Sequence, residues 1–224
     1  MLKNPATPPT TLPVYVKDEI RRRIVTGEYR PGQPLREQDL EAELASSRGP
    51  IREGLRLLLI NGLVEHAPRR GFRVVAYSEK DLVDLYNLRA MLEASAVMAL
   101  EERNVEPLVD ALPASQHKMR VHFRSSDVDA YFDENLAFHK TIFAAAQNKP
   151  LQNVLEYVDE VSLPARYKLL ARNFTSARSL EYHERLIELI EEARFDDASL
   201  VVREHILDNL EQLKTLYRDD PAAA

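Results

Sequence analysis

No glycine follows Gly71 in this chain of 224 residues, and that constrains the fold more than any other feature. Glycine supplies the positive φ that hairpin turns and bulges use, so the region from Ser78 onward has few means of building a sheet. It shows no β-rich alternation either. Apolar residues instead recur with the helical period through one long stretch after another, as in amphipathic helices. Six helices are expected, approximately over 79–103, 105–124, 127–147, 149–172, 176–193 and 196–218. Pro107, Pro113, Pro150 and Pro164 mark starts or kinks, and Asp196-Asp197 places acid at the N-terminus of the last helix, where the helix dipole favours it. No internal repeat or low-complexity segment is evident.

The first 77 residues carry all the glycines and read differently. Residues 1–12 are a Pro/Thr-rich stretch expected to be a disordered tail. Val16, Ile20 and Ile24 then define a helix over 14–26, stopped by Gly27. After the Pro31-Gly32 turn, Leu35-Arg36-Glu37 opens a short helix with Leu40 and Leu44 on one face. Ala45-Ser46-Ser47 is a tight connection, with Ser47 as the N-cap of a third helix whose core face is Ile51, Leu55, Leu58 and Leu59. Asn61-Gly62 ends it. Residues 63–66 and 72–75 are strand-like and flank 67–71, a hairpin with Arg69 and Arg70 at its tip. Three helices and a hairpin make a winged helix-turn-helix over 13–77, so the expected fold is mainly α: that unit followed by an all-α six-helix bundle over 78–224.

Composition narrows the chemistry. The length suits a small domain joined to a medium one, and 45% hydrophobic with 29% charged residues can bury a core. No apolar run approaches the roughly 18 residues of a membrane span, and the N-terminus lacks the apolar segment of a signal peptide. A cytoplasmic protein with no membrane partner is expected. Cysteine is absent, which excludes disulfides, thiolate nucleophiles and Cys-based zinc sites. The net charge of -6 divides unevenly: residues 13–77 hold 12 Lys/Arg against 9 Asp/Glu, and residues 78–224 hold 17 against 27. A mildly basic module is fused to an acidic one, as expected when only one half meets phosphate.

In a winged helix-turn-helix the third helix enters the major groove. Arg48 and Arg52 lie one turn apart near its start, where Arg can pair bidentately with guanine or clamp a phosphate. Arg56 lies a turn further on, within reach of backbone. The alternative is a solvated face, with these arginines paired to Glu37 and Glu53. At the wing, Gly71 lets the backbone approach a phosphate or the minor groove.

The bundle has its own polar residues on apolar faces. Asn135 and His139, one turn apart, share the side of Phe138 and Ile142. His183 lies with Leu186, Ile187 and Ile190, and His205 borders Val201, Val202 and Ile206. These are either hydrogen-bonded core histidines or a His-rich metal site, and spacing leaves both open. His117 and His122 lie in a polar helix and read as surface residues; His66 reads as structural. Arg89 sits on the stripe of Leu82, Leu85, Leu92 and Ala96, where burial requires a counter-ion. That counter-ion is either Glu93, one turn away, or a ligand carboxylate.

Glu28 through Gly32, Leu35-Arg36-Glu37, Ser47 through Glu53 and Pro68 through Phe72 together resemble the GntR-family DNA-binding domain. Residues 88–93, Asn135 through His139, Asn148 through Leu151, Glu181-Tyr182-His183 and Glu204-His205 resemble the FCD effector domain of the FadR subfamily. The first resemblance implies operator contacts at Arg36, Ser47, Arg48, Arg52, Arg70 and Gly71. Gly49 and Gly54 depart from it, the family commonly having Thr and Ala there. The second implies a divalent metal, zinc or nickel first among the candidates, on Asn135, His139, His183 and His205, and a small organic acid effector gripped by Arg89. With four neutral ligands the ion would keep its full charge, which suits an anionic effector. The chain is thus expected to be a homodimeric, ligand-responsive repressor that binds double-stranded operator DNA, since a two-fold dimer reads a pseudo-palindrome. A constitutive DNA-binding protein with a purely structural metal stays open. A metal-dependent hydrolase is disfavoured because no H-E-x-x-H motif supplies a base.

Overall fold

The computed structural model describes residues 11–67, 70–174 and 177–219. The expected tail lies outside them up to residue 10, as does Arg69 of the expected wing tip. Helix α1 (Leu12–Val25) begins within the stretch expected to be tail, with Pro13 in its first turn, where a missing N–H matters least. Helices α2 (Glu37–Glu43) and α3 (Arg48–Ile60) follow, joined by a turn in which Ala45 has φ 45°. Ser47 occupies the N-cap position of α3, but its side chain makes no capping hydrogen bond. The expected hairpin is β2 (Val64–Ala67) paired antiparallel with β3 (Gly71–Val74). A third strand was not expected: β1 (Pro34–Leu35) pairs with the other edge of β3, Leu35 opposite Phe72. Leu35 therefore belongs to the sheet, and α2 starts only at Glu37.

Val16, Ile20 and Ile24 of α1 bury against Leu40, Ile51, Leu55 and Leu58 in one compact core. Leu59, expected in that core, is 40% exposed; one residue past Leu58 it has rotated about 100° off the α1-facing side.

The second core lies among α4 (Glu79–Met98), α5 (Glu106–Arg124), α6 (Val128–Ala145), α7 (Lys149–Arg172), α8 (Arg178–Glu191) and α9 (Phe195–Asp219). A 3-10 turn, Ala99–Glu102, closes α4 earlier than expected. Starts are well specified locally: Ser78 and Asp81 form a capping box on α4, and Asp127 and Asn148 accept from Ala130 N–H at 3.0 Å and Leu151 N–H at 3.1 Å, each such cap contributing about 1 kcal/mol. Pro113 and Pro164 lie inside α5 and α7.

The two cores meet along α1 and α7. Val25 packs with Phe132 and Leu163, and Arg21 grips Glu160 with two hydrogen bonds of 2.6 and 2.9 Å. Gly62, at φ 77°, ends α3 against α7. A Cβ there would stand 2.6 Å from Val161 Cγ1 and 2.8 Å from the Tyr157 hydroxyl, so both its backbone conformation and its neighbours call for glycine.

Candidate effector site and nucleic-acid interface

Arg48 and Arg52 project from the first turns of α3 and are largely exposed. Both reach Glu37 on α2, Arg48 Nε at 2.7 Å and Arg52 Nε at 2.9 Å, while Arg56 pairs with Glu53 at 3.7 Å. The acidic partners weighed from the sequence are therefore engaged. Exposed pairs of this kind contribute little and exchange readily for a stronger anion, so the pairing leaves the two guanidinium groups available to phosphate. Arg36, Ser47 and Arg70 are also exposed. Gly71 has φ 77° with nothing within 4 Å of a would-be Cβ, so its conformation, not crowding, requires glycine. His66 packs edge-on against Phe72 with ring centroids 5.3 Å apart.

In the helical domain, α6, α8 and α9 bring His139, His183 and His205 together. Ring centroids are 5.2 Å apart for 139–183, 5.4 Å for 183–205 and 6.2 Å for 139–205, and one nitrogen from each lies within 4.8 Å of the others. All three rings are buried, and no Nδ1 among them has a hydrogen-bond partner. Burial above all holds each imidazole neutral, joined by Arg166 for His183, which is lowered to about 3, and by His183 and then the nearby arginines for His139 and His205, which lie well below the ordinary range. Asn135 lies beside them, its Nδ2 3.4 Å from His183 Nε2 and its Oδ1 accepting from Arg166 Nη2 at 3.3 Å. Three neutral imidazoles, each with an unpartnered Nδ1, and an amide are a donor set that suits a first-row divalent ion; the Nε2 atoms of His183 and His205 have polar neighbours, Asn135 at 3.4 Å for the first and Ser179 at 3.4 Å and Asn209 at 3.5 Å for the second.

His139, His205, Asn135, Arg89 and Arg166 all line one cavity of about 80 Å3. Arg89 donates to Glu93 Oε1 through Nε at 3.1 Å and Nη2 at 2.6 Å, so the counter-ion considered for it one turn along the helix is in place. Glu93 is fully buried, its pKa pushed up by burial against the pull of Arg89. Its second oxygen has no partner, and the nearest imidazole atom, the equally unpartnered Nδ1 of His139, lies 3.6 Å away. Arg166, which the sequence reading overlooked, donates to Asp159 at 3.1 Å. Its signal was present: a charge on the face of α7 that also buries Ser162 and Leu169. His117 is exposed and His122 half-buried, apart from the cluster.

Residues 84–208, more than half of the chain, match the FCD domain, and residues 14–74 match the bacterial regulatory proteins of the gntR family. The chain belongs to the GntR family. The gluconate operon transcriptional repressor of Bacillus subtilis (strain 168) is 33% identical over 184 residues, covering 79% of this chain and 74% of that protein. The HTH-type transcriptional regulator YdhC of the same organism is 26% identical, covering 94% and 95%. The structure of McbR/YncC from E. coli superposes with a TM-score of 0.79 at 21% identity over 93% of this chain and 100% of that one, which shows the shared fold. The GntR-family domain is a DNA-binding domain, and the families matched are of transcription regulators, not enzymes. No helix among the described residues is long and apolar enough to cross a membrane.

The two departures from common GntR-family residues differ in kind. Gly49 is exposed with nothing near a would-be Cβ. Gly54 is buried where α3 crosses α1, and a Cβ would stand 2.7 Å from Val16 Cγ1, 3.1 Å from the Lys17 nitrogen and 3.2 Å from the Pro13 oxygen. Close approach of the two helices offsets the helix propensity that glycine forgoes, about 1 kcal/mol.

Proposed function

We propose that this GntR-family regulator belongs to the FadR subfamily and acts as a cytoplasmic homodimeric repressor whose operator affinity is set by a small carboxylate bound at a divalent metal in the helical domain. The observation that carries this reading is the cavity: His139 and His205, with His183 packed against both, lie in one lining with Arg89 and Arg166, and each of the three buried imidazoles has an orphaned Nδ1. Asn135, His139, His183 and His205 would hold the ion, with zinc or nickel suited to that donor set. Bound there, it supplies a positive charge that no ligand cancels, an anchor for an anion. The name of the Bacillus subtilis relative, whose operon concerns a carboxylate, supports the same class of effector.

The remaining work falls to the chain itself. Glu93 occupies Nε and Nη2 of Arg89, but a guanidinium has five N–H donors, so the pair still accommodates a ligand carboxylate. The free oxygen of Glu93 lies 3.6 Å from His139 Nδ1 without a hydrogen bond between them; closer approach would let it accept from Nδ1–H and leave Nε2 of that ring for a metal. Helix α7 links the cavity to the DNA-binding domain: Arg166, held by Asp159, lines the cavity, and Glu160 and Leu163 meet Arg21 and Val25 of α1. A ligand that redistributes the contacts of Arg166 biases how α1, and with it α3, sits on the bundle. Differential affinity for two such arrangements is what coupling to operator binding requires. Leu88 and Met91, exposed and one turn apart on α4, offer an apolar face for pairing of two copies.

The Arg89–Glu93 pair also favours a second reading, a structural metal in a constitutive DNA-binding protein. One experiment separates them: elemental analysis of the purified protein, followed by calorimetric titration of carboxylic acids and gel-shift titration of operator DNA with and without acid. A metal-containing protein whose operator affinity changes with an acid supports the sensor; metal without any acid response supports the structural role; absence of metal rejects both.

A further inference from the structure

The cavity's mouth differs in chemistry from its floor. The floor is ionic, with Arg89, Arg166 and the imidazoles. The mouth is a hydrogen-bonded chain of side chains from three helices. Asn173, at the C-cap of α7, donates to Gln212 Oε1 at 3.0 Å; Gln212 donates to Asp208 Oδ2 at 2.8 Å; Arg178, in the first turn of α8, pairs with the other oxygen of Asp208 at 2.9 Å. Asn209, one residue after Asp208 on the same helix, places Nδ2 3.5 Å from His205 Nε2 and so puts a further amide between this chain and the imidazole.

Each amide here has two donors and a carbonyl with two lone pairs, and a carboxylate oxygen accepts more than one hydrogen bond. The contacts above leave part of that capacity unfilled, in fixed positions and with both donors and acceptors present. Among the described residues of the rim, the cation Arg178 is paired with the carboxylate of Asp208, so these residues offer no net charge to a second carboxylate. An aliphatic tail lying there would strip water from these groups and return no hydrogen bonds, a loss for every amide covered. Vicinal hydroxyls, each both donor and acceptor, match the chain. The floor and the rim line one cavity, so a ligand whose carboxylate lies beside Arg89 and Arg166 meets the rim with its other end.

We propose that the effector is a polyhydroxylated monocarboxylate of the sugar-acid class, its carboxylate on the floor beside Arg89 and Arg166 and its hydroxyls on Asn173, Asp208, Asn209 and Gln212. The proposal rests on the reading of the floor as a carboxylate site. The test is calorimetric titration of the full-length, metal-loaded protein with D-gluconate, D-galactonate and D-xylonate, and with hexanoate and adipate as acids without hydroxyls. At least one sugar acid binds about tenfold or more tightly than hexanoate and adipate, the margin set by a single net hydrogen bond or two. Gln212→Leu and Asn173→Leu each lower that affinity about tenfold and change hexanoate binding less than about threefold, with melting temperatures recorded to confirm folding. Hexanoate or adipate binding as tightly as every sugar acid overturns the hydroxyl proposal and leaves the carboxylate site standing. Sugar-acid affinity unchanged in both folded variants also overturns it. If none of the five acids binds, the carboxylate reading itself falls.

Discussion

Arginine serves the two domains in opposite ways. On α3, Arg48 and Arg52 are more than half exposed and share one carboxylate, Glu37. In the bundle, Arg89 is buried and held by the buried Glu93, and the half-buried Arg166 is held by Asp159. An exposed pair is screened by water and salt and gives up its carboxylate for a phosphate at little loss. A buried pair has already lost its hydration, so removing one partner strands the other in a poor medium. On the proposed reading, the α3 surface is tolerant of substitution for stability and sensitive for recognition, whereas the cavity of the bundle is sensitive for both.

The largest effect sharpens that contrast. Arg89→Met leaves Glu93 buried without its cation and lowers stability by about 3–5 kcal/mol, read from thermal or denaturant unfolding. Replacing both partners, Arg89→Met with Glu93→Leu, restores most of the loss, because two apolar side chains satisfy one another. Neither variant regains acid affinity if Arg89 grips the effector, and that affinity falls by about 2–5 kcal/mol. A double variant that melts normally and still binds acid would return Arg89 to a purely structural role.

Next in size is the metal. His205→Ala and His183→Ala should each lower metal content from about one ion per chain towards none. With free metal at about a hundred times its dissociation constant, the lost binding removes roughly 2.7 kcal/mol of stability. Unchanged metal content in both variants breaks the assignment of the histidine cluster.

On the DNA side, Arg48→Ala and Arg52→Ala should weaken operator binding roughly five- to hundredfold at fixed salt and leave the melting temperature nearly unchanged. Gel-shift titration checks the first and calorimetry the second. A large drop in melting temperature would contradict the comparison, since it would make these arginines structural. The smallest expected effect is at the α1–α3 crossing: Gly54→Ala gains helix propensity but forces α1 away, for a net loss of about 1 kcal/mol. A higher denaturation midpoint in this variant would show that the crossing has room to relax.

Much of this molecule is local information. Gly27, the Pro31-Gly32 turn and Asn61-Gly62 punctuate the first domain where the structure ends its elements, because backbone conformation at a turn is decided by the residues in it. The helical period locates α4 to α9 to within a few residues, and it places Asn135 and His139 on one face because they are one turn apart on one helix. Other features are settled only by packing. Two residues are too few to show a strand's alternation, so β1 exists through its pairing with β3. Periodicity says that His183 and His205 face inward; that they meet His139 depends on how α6, α8 and α9 cross. The sequence left Arg89 between Glu93 and a ligand, and packing brought Glu93 onto it and set Arg166 in the same cavity lining as His139 and His205. It also raised the mouth of the cavity from residues of α7, α8 and α9 that no short-range pattern connects. An apolar stripe specifies that a helix face is buried, and which other face it is buried against is a property of the whole fold.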